Sequence, residues 1–250
     1  VTANKAHPED PIPESPTRKW LSLDLGVRPY RDTWGLQVRL VTARKQGALD
    51  RDVVLWVEHP PVFTLGRRGG LENVTVPRSL LEKKGVDLVH IERGGDVTYH
   101  GPGQVVAYPI IDLRLARLGV LEYIEGLEEI MIQTASDWGI KAQRDSRNRG
   151  VWVGGEKLGS IGIALRRGIS FHGMALNVNV SLSPFGWINP CGLQGVKATS
   201  MERERGRALP MDQVLKALKV HMKRAFAVEL REARLSELAR SLGDKGEATT

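Results

Sequence analysis

Val151 to Leu165 reads VWVGGEKLGSIGIAL. Two apolar runs flank Gly154-Gly155, and a Gly-Gly pair supplies the positive φ values that a two-residue hairpin turn needs. The stretch predicts a β-hairpin, with Val151–Val153 as one arm and Leu158–Leu165 as the other. A hairpin makes an antiparallel pair. Because helical patterns interleave with the other strands without a strict βαβ rhythm, the sheet should be mixed.

On the C-terminal side, Ser170 to Val180 alternates well enough for another strand. Met211 to Phe226 places Val214, Leu215, Leu218, Met222 and Phe226 on one helical face, and Leu235, Leu238 and Leu242 suggest a final helix. On the N-terminal side, Leu121 to Trp138 is the clearest helix. Its apolar face is Ile124, Leu127, Ile130, Met131, Ala135 and Trp138, with Glu122, Glu125 and Glu129 outside it. Val105 to Ile111 reads as a strand whose Pro109 suggests an edge or a bulge. Gly94 to Gly103 holds four glycines and a proline in ten residues, a density that predicts no regular structure. Leu88–Ile91, Val53–Val57 and Trp20–Leu25 read as strands, the second stopping at His59-Pro60-Pro61. Pro77–Lys84 should be a short helix ended by Gly85. Tyr30 to Arg44 should be a helix with Tyr30, Trp34, Val38 and Val41 on its face and Pro29 in its first turn.

The chain has 250 residues, 41% apolar and 26% charged, with a net charge of +7. That length can bury a core without covalent staples. One cysteine excludes an intrachain disulfide and is compatible with a reducing cytosol. No apolar stretch of about 18 residues occurs, so no membrane span is expected. The Pro-rich, polar residues 1–17 have no apolar h-region and read as a flexible leader. The positive charge suits an acidic partner. No run of five or more Lys/Arg favours nucleic acid. Neither GxGxxG entering a helix nor GxxxxGK[ST] is present, which counts against a nucleotide cradle. The six His and one Cys show no zinc-like spacing.

Three segments can carry chemistry. Arg93 to Tyr108, RGGDVTYHGPGQVVAY, sets Arg, Thr, Tyr, His and Gln among glycines, where a ligand can approach the backbone closely. In the hairpin, Lys157 is flanked by apolar strand residues; an amine that loses water can act as a base, whereas an average strand lysine is simply solvated. Ser183 to Thr199, SPFGWINPCGLQGVKAT, puts Cys191 between Pro190 and Gly192. A turn position makes it a reachable thiol rather than core filler. A thiol needs help to ionise near neutral pH, from a neighbouring lysine or a histidine. Lys157, His59, His90, His100 and His172 all remain open as that helper.

Together the three segments resemble the lipoyl(octanoyl) transferases of the LipB type. Arg93–Tyr108 fits the signature R-G-G-x-x-T-[FYW]-H-x-x-[GH]-Q-x-[LIVMT]-x-Y at every specified position. The hairpin and its sequel GGEKLGSIGIALRRGISFHGMALNV, the cysteine loop with INPCG, and His59-Pro60-Pro61-Val62 followed by Thr-Leu-Gly also match. The resemblance runs from about Trp20 to Phe226. It implies an α+β fold with a mixed sheet flanked by helices, like biotin and lipoate protein ligases. It implies a single catalytic domain over 18–228; the leader at 1–17 and a C-terminal helix and tail at 229–250 fall outside it.

The family's acyl-accepting nucleophile falls on Cys191, and the lysine that assists its ionisation on Lys157. The acyl pocket falls on Arg93, Gly94, Gly95, Asp96, Val97, Thr98, Tyr99 and His100, on Ser160, Ile161 and Gly162, and on Gly173, Met174 and Ala175. The implied activity is cytoplasmic octanoyl transfer from acyl carrier protein to a lysine of lipoyl domains in 2-oxoacid dehydrogenase complexes and of the glycine cleavage H protein. No cofactor, metal, nucleic acid or membrane is implied. An ATP-dependent lipoate or biotin ligase is the rival reading.

Overall fold

A computed structural model describes residues 18–189 and 195–243. Seven strands form the main sheet: β1 (Arg18–Val27), β2 (Val53–Glu58), β6 (Gln104–Ile110), β7 (Gly150–Val153), β8 (Glu156–Arg166), β9 (Ile169–Asn177) and β10 (Val228–Glu232). Their order is β10-β1-β2-β6-β9-β8-β7. The β10-β1-β2 end is parallel and the rest antiparallel, so the sheet is mixed as expected. A smaller sheet of order β4-β3-β5 joins β3 (Val62–Leu65), β4 (Asp87–His90) and β5 (Val97–His100).

Both faces of the main sheet are covered, which explains why its central strands read as unbroken apolar runs. Along β2, Val54 and Trp56 join the core beneath α3 (Val120–Asp137) and α5 (Met211–Phe226), together with Leu127, Met131, Leu218 and Met222. Val53, Leu55 and Val57 point the other way, into the core with Leu36 and Leu40 of α1 (Tyr30–Gln46). The short α2 (Arg78–Lys83) packs Leu81 against the small sheet, and α4 (Met201–Arg205) precedes α5. No helix among the described residues is long and apolar enough to cross a membrane.

Several expectations change. The glycine-dense stretch contains a strand: Val97–His100 is β5, fully buried and paired with β3. Its glycines flank four residues of which two are β-branched and one is aromatic, and such residues fit a pleated surface.

Pro109 lies in the central strand β6, opposite Val54 of β2, not at an edge. The irregularity it signals is real. The ladder to β9 stops at Ala107↔Met174. His172, which would face Pro109, takes φ +55 and donates its N–H to the Gln37 side chain of α1 at 2.8 Å. Gly173 is required there, since a Cβ would stand 2.2 Å from the Ala107 carbonyl oxygen and 2.7 Å from Pro109 Cδ.

On α1, Trp34 and Val38 are only half-buried, and the buried face runs through Leu36, Gln37, Leu40 and Val41. Pro29 caps that helix rather than lying in its first turn. Residues 228–232 form a strand of the main sheet, parallel to β1, and the expected final helix is one 3₁₀ turn at Leu235–Leu238.

Candidate active site

The hairpin forms as the Gly-Gly pair dictates, with φ +54 at Gly154 and +88 at Gly155. Its ladder steps from Val151↔Gly159 to Trp152↔Lys157, so Leu158 is an extra residue and β8 carries a bulge beside Lys157. A bulge re-aims the neighbouring side chain. Lys157 is 4% exposed. Its Nζ donates to the Arg149 carbonyl at 3.1 Å and lies 5.1 Å from the centre of the Trp152 ring. The solvated reading of this lysine therefore fails.

The backbone of Lys157 is held at both ends by one segment. Its N–H donates to the Lys197 carbonyl at 2.8 Å, and its carbonyl accepts from the Thr199 N–H at 3.0 Å. Upstream, Ile188 bridges to Val74, and the Asn189 N–H bonds to the Asn73 carbonyl at 2.9 Å. The described residues on both sides of positions 190–194 are thus anchored. Cys191 itself lies outside the described residues.

Further along β8, Ser160, Ile161 and Gly162 pair directly with Ala175, Met174 and Gly173 of β9. Ser160 lies three residues from Lys157 on the same strand. Over this ladder crosses the Arg93–Asp96 loop, tied down by the Gly94 N–H to the Ile163 carbonyl at 2.8 Å. The loop can lie so close because position 162 has no side chain: a Cβ there would stand 2.9 Å from the Gly94 oxygen and 3.0 Å from Arg93 Cδ.

Loop and ladder form the walls of a partly open pocket. Arg93, Gly95, Asp96, Val97, Thr98, His100, Ser160, Ile161, Gly162, Gly173, Met174 and Ala175 line it. Two of the expected residues do not. Gly94 contributes its backbone bond, and the Tyr99 ring turns into the small sheet's core, 5.4 Å from both Phe63 and Phe185. Tyr30, Val106, Tyr108, Asn148 and His172 complete the lining. Sequence reasoning missed these five as wall residues: Tyr30 and Asn148 lie outside the quoted motifs, and Val106, Tyr108 and His172, though inside them, carry no local sign of which way their side chains face.

Arg93 is a nearly buried cation. Its guanidinium donates to the Thr64 hydroxyl at 2.9 Å, the Thr64 carbonyl at 2.6 Å and the Gly94 carbonyl at 3.0 Å, which ties the loop to β3. Asp96 accepts from its neighbour Val97 N–H at 2.6 Å and from Asn73 at 2.9 Å.

The histidines around the pocket are uncharged. His100 donates through Nδ1 to Gln104 Oε1 at 2.7 Å, and burial pushes its pKa down to about 3. His59 donates through Nδ1 to the Arg28 carbonyl at 2.7 Å and accepts the Tyr108 hydroxyl at 2.8 Å, with its pKa pushed down by burial to about 4. Burial lowers His172 as well. Groups this weakly basic are poor proton acceptors near neutral pH. Among the described residues, no three or more His, Cys, Asp or Glu side chains gather as a metal would need.

Residues 29–223 match the family model of the lipoyl protein ligase A/B catalytic domain. An octanoyltransferase of Desulfotalea psychrophila is 52% identical over 198 residues, 78% of this chain and 89% of that one. An octanoyltransferase of Syntrophobacter fumaroxidans is 44% identical over 227 residues, 91% and 99% of the two chains. A bi-partite lipoate protein ligase from Thermoplasma acidophilum superposes with a TM-score of 0.64 at 18% identity, covering 93% of this chain and 94% of that chain; it shares the fold. With a family model spanning most of its length and relatives this similar, the chain belongs to the octanoyltransferases of the lipoyl protein ligase A/B catalytic-domain family.

Proposed function

We propose that this enzyme moves an octanoyl group from a carrier-protein thioester to a lysine of a lipoyl domain, by way of a thioester on Cys191. Lys157 accepts the thiol proton. The thiolate attacks the donor carbonyl, the C–S bond to the carrier breaks, and the carrier thiol leaves with a proton. One thioester replaces another, so the step is nearly balanced. The acceptor amine then attacks octanoyl-Cys191, Lys157 takes its proton, and the Cys191 thiol is released. The product is an amide, more stable than a thioester, so the second step runs downhill without ATP.

The observation that carries this reading is the setting of Lys157. It is a buried amine, hydrogen-bonded through its backbone to Lys197 and Thr199, six and eight positions after Cys191 in the chain. It stands at the end of the strand that lines the pocket. Val106, Ile161, Met174 and Ala175 offer the acyl chain apolar wall. Each methylene buried there contributes about 0.8 kcal/mol, which lets pocket depth discriminate chain length. The net charge of +7 suits acidic carrier and acceptor proteins as electrostatic steering.

The test is intact-protein mass spectrometry after mixing with octanoyl-carrier thioester. Wild type should gain one octanoyl group, and Cys191→Ala should gain none and transfer none. An active Cys191→Ala enzyme would overturn the mechanism. Transfer that needs ATP and free octanoic acid, and survives alkylation of Cys191, would select the ligase reading.

A further inference from the structure

The geometry points to Glu128 as the residue that positions the amine of Lys157. This rests on Lys157 being the proton acceptor proposed above. Glu128 lies on α3 and is 1% exposed. A carboxylate so far from water is costly unless donors converge on it. Three do. Oε1 accepts the Gly150 N–H at 3.0 Å. Oε2 accepts from Arg144 Nε at 3.1 Å and faces an Arg149 guanidinium nitrogen at 3.5 Å. Arg144 reaches on to Glu129, and Arg149 to Glu125.

What Glu128 pins is the start of β7, the short stretch that carries Lys157's partner. The Arg149 carbonyl accepts from Lys157 Nζ at 3.1 Å. The next residue, Gly150, has φ +124, and a Cβ on it would stand 2.4 Å from the Gly159 oxygen and 3.1 Å from Lys157 Cε. The lysine stem therefore passes over a residue that must be glycine, toward a carbonyl whose place is set by the backbone bond to Glu128. The Trp152 ring borders the same amine, and its own N–H is fixed to the Asn148 carbonyl at 3.2 Å. Glu128 touches no reacting atom; it acts through Arg149 and Gly150.

The experiment compares wild type, Glu128→Gln, Glu128→Ala, Arg149→Ala and Lys157→Ala. Each is followed by thermal melting and by kcat, KM and pH profiles of octanoyl transfer. Glu128→Gln keeps an oxygen for Gly150 but loses the charge that gathers the arginines. It should stay folded, lose about tenfold or more in kcat, as small misplacements of reacting groups do, keep its donor KM, and shift its kcat–pH profile toward that of Lys157→Ala. Glu128→Ala should lose more. Arg149→Ala removes an exposed guanidinium, is the variant least able to disturb folding, and should move the profile in the same direction by less.

A folded Glu128→Gln enzyme with the wild-type kcat and pH profile would overturn the inference, as would a rise in KM alone. If the glutamate variants do not fold, an Arg149→Ala profile that superimposes on wild type does the same. A Lys157→Ala enzyme with the wild-type profile would overturn the proton-acceptor reading first, and this one with it.

Discussion

Lowering the pH from about 7.5 to about 5 should weaken the fold through His59 and His100. Both are buried without charge, and their pKa values are pushed down to about 4 and about 3. In the unfolded chain each titrates near about 6.5. Between those limits the unfolded chain binds protons that the folded protein refuses, so stability rises with pH. The contribution is whole above about 6.5 and is lost progressively as the pH falls through the folded values. At pH 5 the unfolded-state value lies about 1.5 units above the solution, which gives about 2 kcal/mol per histidine and about 4 kcal/mol for the pair.

That is a large share of the roughly 5–15 kcal/mol typical of a folded domain. His172 is pushed the same way and adds to the loss. Asp52, whose carboxyl burial raises, acts in the opposite sense and offsets part of it. Carboxylates held low by arginines, such as Asp145 beside Arg147, make their loss at lower pH. Urea denaturation at the two pH values measures the difference. A His100→Gln variant, which cannot titrate, should lose roughly half of the pH dependence assigned to the pair. Equal stability at both pH values would refute the reasoning, and so would a His100→Gln variant with the full pH dependence.

Lys157→Ala should slow acylation by about a hundredfold, read by quenched-flow formation of the octanoyl adduct, and shift the pH–rate profile; an unchanged profile would argue for another base. Gly173→Ala forces a Cβ to 2.2 Å from the Ala107 oxygen and should destabilise by about 2 kcal/mol or more, seen as a lower melting temperature. Ala175→Leu adds bulk to the pocket wall and should favour acyl donors two methylenes shorter by roughly tenfold relative to octanoyl, at about 0.8 kcal/mol per methylene, measured as a ratio of kcat/KM values.

The legible features were those decided within a few residues. The Gly154-Gly155 turn, the bounds of α5 at Met211 and Phe226, and the family signature at Arg93–Tyr108 each depend on local chemistry and spacing. The misread ones depend on distant partners. Val97–His100 is a strand because β3 lies beside it. Pro109, which has no N–H to give, stands in a central strand just past the point where the ladder to β9 ends, and the His172 N–H that would face it goes instead to Gln37 of α1. Val228–Glu232 becomes a strand by joining β1, some two hundred residues earlier in the chain.

The candidate site divides the same way. Lys157 and the Gly162–Gly173 ladder stand in motifs that can be read along the chain. Tyr30 and Asn148 reach the pocket, and Glu128 reaches the backbone beside Lys157, only through the fold. By itself the sequence determined the hairpin, the main helices, the family and the residue types available for thioester chemistry, because turn geometry, helical periodicity and motif spacing are local. Tertiary structure alone decided which buried amine meets which carbonyl, which histidines stay uncharged and what walls the pocket. Those outcomes depend on desolvation and on contacts between residues far apart in the chain.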